Sequence, residues 1–229
     1  MSVPVTPAPP ARRFDLAIFD LDGTLADSAP DIARALDATL AEAGLPAVPL
    51  ARAREMVGDG AAKLIERALP ATEAGRDLRP LVARFRTHYG QHLCDETRLY
   101  PGVAALLDAL AERGVVAAVV TNKPAVLARG LLAALGIAAR LPSVIGDGDG
   151  FPRKPDPSAA RALLARHAVD PERAVVIGDG LPDLGMARAV PCASIAAAWG
   201  YVPTAVLLAE RPTHLAQTPG DVLALLLPA

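Results

Sequence analysis

A chain of 229 residues suits one domain with a sizeable core, or one domain carrying a large insertion. Hydrophobic residues reach 52% but aromatics only 3%, so the core is expected to be aliphatic and helix-rich. A net charge of −2 offers no basic surface for nucleic acid or an anionic membrane, and no apolar run is long enough to span a bilayer.

Residues 1–12 hold Pro4, Pro7, Pro9 and Pro10 and are expected to form a loose tail, without the basic start and apolar run of a signal peptide. Leu16-Ala17-Ile18-Phe19 reads as a buried parallel strand over about Asp15–Asp20, and Gly23 marks a tight turn at its end. Ser28-Ala29-Pro30-Asp31 reads as a helix start with Ser28 as cap. Ile32, Ala35, Leu36, Leu40 and Ala43 keep helical spacing, and Gly44 closes that helix. Further helices fit Ala61–Leu69, stopped by Pro70, and Leu78–Leu93, where Leu81, Phe85 and Tyr89 share a face. No β-rich run interrupts residues 28–98, which are expected to form an all-helical insertion.

From Pro101 helix and strand alternate. Helices are expected over Val103–Arg113, Ala125–Leu135, Pro157–Arg166, Leu181–Ala189 and Asp221–Leu227. Strands are expected over Val115–Val120, Ser143–Ile145, Ala174–Ile177 and Cys192–Ala196. This alternation predicts an α/β fold, a Rossmann-like doubly wound parallel sheet with right-handed crossovers. The sheet would be built from 13–27 and 99–229. Cys94 and Cys192 lack metal or redox spacing and read as thiols in a reducing cytoplasm.

Three apolar strands stop at a polar residue: Asp20, Thr121 and Asp179. In a parallel sheet those tips share one edge, the edge where ligands bind. Asp22 stands two residues beyond Asp20. Crowded carboxylates repel by about 4 kcal/mol at ~4 Å near a surface, so such a group calls for a cation or a shared proton. A calcium loop is excluded, because Thr24 stands where the third acidic ligand belongs and no Glu occupies the twelfth position. Lys154, between Arg153 and Pro155-Asp156-Pro157, is aimed by a restricted backbone. Asp183 follows Asp179 by one helical turn. Only 3 of 23 basic residues are lysines, namely Lys63, Lys123 and Lys154, which hints at tasks needing a compact ammonium. Carboxylates, a hydroxyl, a lysine and a hard cation suit phosphoryl transfer. One carboxylate can attack phosphorus while its neighbour moves protons, and spacing alone leaves open which of Asp20 and Asp22 does which.

Asp20-Leu21-Asp22-Gly23-Thr24-Leu25, Thr121-Asn122-Lys123, Lys154-Pro155-Asp156-Pro157 and Gly178-Asp179 through Asp183 resemble the four ordered motifs of the haloacid dehalogenase superfamily. The resemblance implies that Asp20 is the nucleophile and Asp22 the general acid/base. It implies phosphate binding by Thr121, Asn122 and Lys154. It further implies Mg²⁺ held by Asp20, the Asp22 backbone carbonyl and Asp179, with Asp183 close behind. Residues 28–98 would be the helical cap that closes over the site. An Asp at position 22 favours a phosphatase over a dehalogenase, since a halide leaves without a proton. Leu99-Tyr100-Pro101-Gly102-Val103, Thr121-Asn122-Lys123-Pro124, Gly58-Asp59-Gly60 and Trp199-Gly200-Tyr201 are similar to the phosphoglycolate phosphatases within that superfamily. The implied partner is a small phosphate ester, with no nucleic acid and no membrane.

Alternatives stay open at this point: a phosphatase for another sugar phosphate or pyrophosphate, a β-phosphoglucomutase-like phosphomutase, or a non-catalytic phosphate-binding protein. Monomer and homodimer are equally open. Gly180 stands where the family has a hydroxyl residue, and Val190-Pro191 where it has Ala-Gly; the first puts the support of the metal in question. Arg54 and Lys63 in the insertion are candidates to meet a substrate carboxylate. His88, His92, His167 and His214 show no triad or metal spacing.

Overall fold

A computed structural model describes residues 13–227. The expected tail therefore lies outside the described residues. In chain order the elements are β1 (Leu16–Phe19), β2 (Ala26–Asp27), α1 (Ala29–Glu42), α2 (Leu50–Met56), α3 (Ala61–Ala68), α4 (Arg79–Gln91), β3 (Arg98–Leu99), α5 (Val103–Glu112), β4 (Val116–Pro124), α6 (Ala125–Ala134), β5 (Ser143–Asp147), α7 (Ser158–His167), β6 (Ala174–Gly178), α8 (Leu181–Ala189), β7 (Ala193–Ala197), α9 (Thr204–Ala209), β8 (His214–Ala216) and α10 (Pro219–Leu226).

Six strands form one parallel sheet in the order β5-β4-β1-β6-β7-β8. Successive side chains on a strand face opposite ways, and here both faces are covered. Ala17, Phe19, Val119, Val175 and Ile177 face one core with Leu106, Leu107 and Leu110 of α5, Leu131 of α6 and Val222 of α10. Leu16, Ile18, Ala118, Val120 and Val176 face the other with Leu163 of α7 and Met186 of α8. The aliphatic runs read from sequence are thus buried on both sides, which is the doubly wound α/β arrangement. Strand order reverses beside β1, between its neighbours β4 and β6. Phe19 pairs with Val119 on one side and Ile177 on the other, so the residues that follow all three emerge at one level.

Between β1 and α5 the chain makes α1 to α4, which share their own apolar cluster of Leu36, Leu40, Ile65, Leu81, Phe85 and Tyr89 among others. β2 and β3 bracket these helices and pair antiparallel, Ala26 with Leu99 and Asp27 with Arg98. Ser28 makes no side-chain cap on α1. Its hydroxyl donates to Asp22 Oδ1 instead. The hydroxyl of Tyr201 accepts from the N–H groups of Ser28 (2.9 Å) and Ala29 (3.0 Å) in its place. β4 runs on past Thr121 to Pro124, with a register shift after Val120. Among the described residues, no helix is long and apolar enough to cross a membrane.

Candidate active site

The ends of β1, β4 and β6, the loop between β5 and α7, and the first turn of α8 bring four buried acids and two buried lysines together. Ligand oxygens of Asp20, Asp179 and Asp183 lie within 4.8 Å of one another. Lys154 Nζ reaches Asp20 Oδ1 at 2.8 Å and Asp183 Oδ1 at 2.7 Å. The Leu21 N–H also donates to Asp20 Oδ1, at 2.7 Å. Asp22 has a different ammonium, with Lys123 Nζ at 2.8 Å and 3.1 Å from its two oxygens. Lys123 also donates to the hydroxyl of Tyr89 on α4, at 2.6 Å. Two of the three lysines are therefore buried in this cluster, whereas Lys63 is exposed and paired with Glu66 at 2.9 Å.

Asn122 ties the parts together. Its Nδ2 donates to the Gly58 carbonyl at 3.0 Å, and its Oδ1 accepts from the Lys154 N–H at 2.9 Å. Thr121 Oγ1 accepts from the Lys123 N–H at 3.2 Å. A cavity of about 40 Å³ opens on this group. Its floor is Asp20, Asp22, Thr121, Asn122 and Lys123, and its roof is Ile32, Val57, Gly58, Gly60, Ala61, Leu64, Phe85 and Tyr89 from the helical segment. Arg54 and Lys63 do not line it. Arg54 pairs with Asp27 at 2.5 Å and lies over the Tyr201 ring.

Burial pushes Asp179 up to about 8, and the charge of Asp20 adds to the effect. Burial likewise lifts Asp183 to about 7, outweighing the pull of Lys154. Burial disfavours the Lys154 ammonium, but Asp183 and Asp20 win and hold it above the usual lysine range. Three carboxylates within 4.8 Å of one another, two of which (Asp179 and Asp183) resist ionisation, offer only oxygen and fit a small hard cation.

A family profile described as haloacid dehalogenase-like hydrolase matches residues 14–190. The chain belongs to this family. Phosphoglycolate phosphatase of Rhodospirillum rubrum is 40% identical over 191 residues, 80% of this chain and 79% of that protein. Phosphoglycolate phosphatase of Vibrio cholerae is 36% identical over 226 residues, 94% of this chain and 98% of that one. Among solved structures, a Haemophilus somnus 129PT protein named a predicted phosphoglycolate phosphatase superposes with a TM-score of 0.84 at 30% identity. That match covers 93% of this chain and 98% of that one.

Several groups around this hydrolase's acidic cluster escape a reading of its sequence. Thr24 Oγ1 donates to Asp179 Oδ1 at 2.7 Å, and the Tyr201 N–H donates to Asp179 Oδ2 at 2.8 Å. Gly180, the departure from the family pattern, still holds Asp183: its N–H donates to Asp183 Oδ2 at 3.1 Å. The motif Trp199-Gly200-Tyr201 was the one signal pointing to Tyr201. Gly23 sits at φ +85°, and a Cβ there or on Gly200 would collide with Asp179. Gly23→Ala is therefore expected to lower the unfolding free energy by about 1–3 kcal/mol, read by urea titration. Unchanged stability would mean that Asp179 is not confined by this turn.

Proposed function

We propose that this protein is a Mg²⁺-dependent phosphatase that hydrolyses a small phosphomonoester, 2-phosphoglycolate first among them, in a reducing cytoplasm. The observation that carries the reading is the pairing of Asp20 and Asp22, two residues apart and buried, with separate ammonium groups. Two carboxylates in different electrostatic settings can take different roles. Asp20 attacks phosphorus, forming an aspartyl-phosphate as the bond to the leaving oxygen breaks. Asp22 gives that oxygen its proton. It then removes a proton from water, which attacks phosphorus, frees phosphate and restores Asp20. Thr121, Asn122 and Lys154 bind the phosphoryl oxygens.

Asp20, Asp179 and Asp183, with the Asp22 carbonyl, would hold Mg²⁺, which supplies neutralisation of phosphate charge. Residues 28–98 act as a cap that keeps bulk water from the first step. A panel of phosphate esters assayed for released phosphate, with Mg²⁺ and with EDTA, tests the reading. Turnover undiminished by EDTA, or none on any ester, would sink it.

A pH dependence follows from the raised carboxyl groups. Asp179 and Asp183 rise from 3.8 to about 8 and about 7, so the folded chain keeps protons that the unfolded chain has released. Metal-free stability is therefore expected to fall as pH rises through that window. Mg²⁺ competes with those protons, so its affinity should weaken as pH drops from about 8 toward 6. Thermal melts with EDTA or Mg²⁺ across that range read both effects. A metal affinity flat with pH would remove these acids from the metal site.

A further inference from the structure

We infer that Lys123 is the residue that selects substrates carrying a second negative charge next to the scissile phosphate ester. The inference rests on the proposed phosphatase reading and names the substrate class of that same cavity. Among the described residues, Lys123 is the one cation lining the cavity. Lys154 is directed to Asp20 and Asp183 instead, on the side of the acidic cluster. Arg54 and Lys63, the cations that sequence suggests for substrate, are engaged with Asp27 and Glu66 away from the cavity. The roof offers a leaving group mainly apolar side chains, among them Val57, Leu64 and Phe85. A sugar's hydroxyls would lose water there with few partners, and an anion would lose far more without a cation.

Lys123 meets that need by position. Its side chain is only 3% exposed, and its ammonium sits against Asp22, the group proposed to protonate the leaving oxygen. It carries three donors, directed here to the two Asp22 oxygens and the Tyr89 hydroxyl, so an entering anion takes the ammonium by replacing the Tyr89 hydroxyl as a partner. An anionic group one or two bonds beyond the ester oxygen would lie within reach of that ammonium. The selected class is therefore a phosphate ester with a neighbouring carboxylate, or a second phosphate in its place.

Binding separates this role from catalysis. The probes are 3-phosphonopropanoate, the carbon analogue of 2-phosphoglycolate that cannot be hydrolysed, and propylphosphonate, which lacks the carboxylate. Calorimetry with Mg²⁺ is expected to show wild type preferring the carboxylated probe by about 10- to 100-fold, the worth of one charge-assisted hydrogen bond. Lys123→Met should erase that preference, and Lys123→Arg should retain part of it. A parallel kinetic arm compares kcat/KM for 2-phosphoglycolate, pyrophosphate and ethyl phosphate. In Lys123→Met the two charged substrates should lose about tenfold or more relative to ethyl phosphate. Equal losses on all three would make Lys123 only a support for Asp22 and overturn the inference, as would a wild type without preference between the phosphonates. The phosphonate result stands whether or not any ester is turned over, so it fails or holds separately from the phosphatase reading.

Discussion

Asp20→Asn is expected to lower phosphate release by about 10³-fold or more on every ester the protein hydrolyses. The change removes the proposed nucleophile while keeping shape. The Leu21 N–H and Lys154 Nζ both donate to Asp20 Oδ1, which leaves Oδ2 as the oxygen that would attack phosphorus in the proposed reaction. In the variant an amide stands in that place, and an amide cannot form the aspartyl-phosphate. The fold should survive, because Lys154 keeps Asp183 as its counter-ion at 2.7 Å and Asp20 follows a strand whose core contacts come from Leu16 to Phe19. Circular dichroism alongside the assay separates lost chemistry from lost structure. A well-folded Asp20→Asn protein with wild-type turnover would take the nucleophile away from Asp20.

Lys154→Met is expected to have the largest effect on stability. Lys154 is buried and serves two buried carboxylates at once. Removing one partner of a buried ion pair leaves uncompensated charge and costs about 3–5 kcal/mol. The loss depends on pH in a defined direction. Without the ammonium that lowers it, Asp183 holds its proton more tightly, so the penalty applies where the unfolded chain has ionised. It should be large at about pH 8 and small near pH 4, and Mg²⁺ should offset part of it at the higher pH. Urea denaturation at both values, with and without Mg²⁺, reads the pattern. Equal losses at both would mean that the lysine contributes packing alone.

What was legible in the sequence follows from period and punctuation. Leu16–Phe19 and Ala174–Gly178 came through because aliphatic runs end at Asp or Gly, and Leu181–Ala189 because Gly180 and Pro191 punctuate a helical stretch. Asp20 and Asp179 meet because parallel strands share an edge, and Asp183 joins them from the first turn of α8, one helical turn after Asp179. Short elements escaped. α2, α9 and β8 have 7, 6 and 3 residues, too few for a period to declare itself. Ser28 illustrates a second limit. A serine before a helix has a local use as cap, yet a buried carboxylate six residues back takes its hydroxyl. The partnership of Lys123 with Asp22 spans 101 positions. Composition hinted that the retained lysines had tasks, but only the fold shows which acid each one meets.

The antiparallel pairing of Ala26 with Leu99 carries a further consequence. Departure and return of the long excursion lie side by side, about 5 Å apart as neighbouring strands are. A handful of residues would bridge that gap without disturbing the hydrogen bonding of the six parallel strands. The sheet and the helices above it are joined covalently through one doorway, so a roof of another size could be spliced in there, provided it replaced the contacts that Tyr89 and Gly58 make to Lys123 and Asn122.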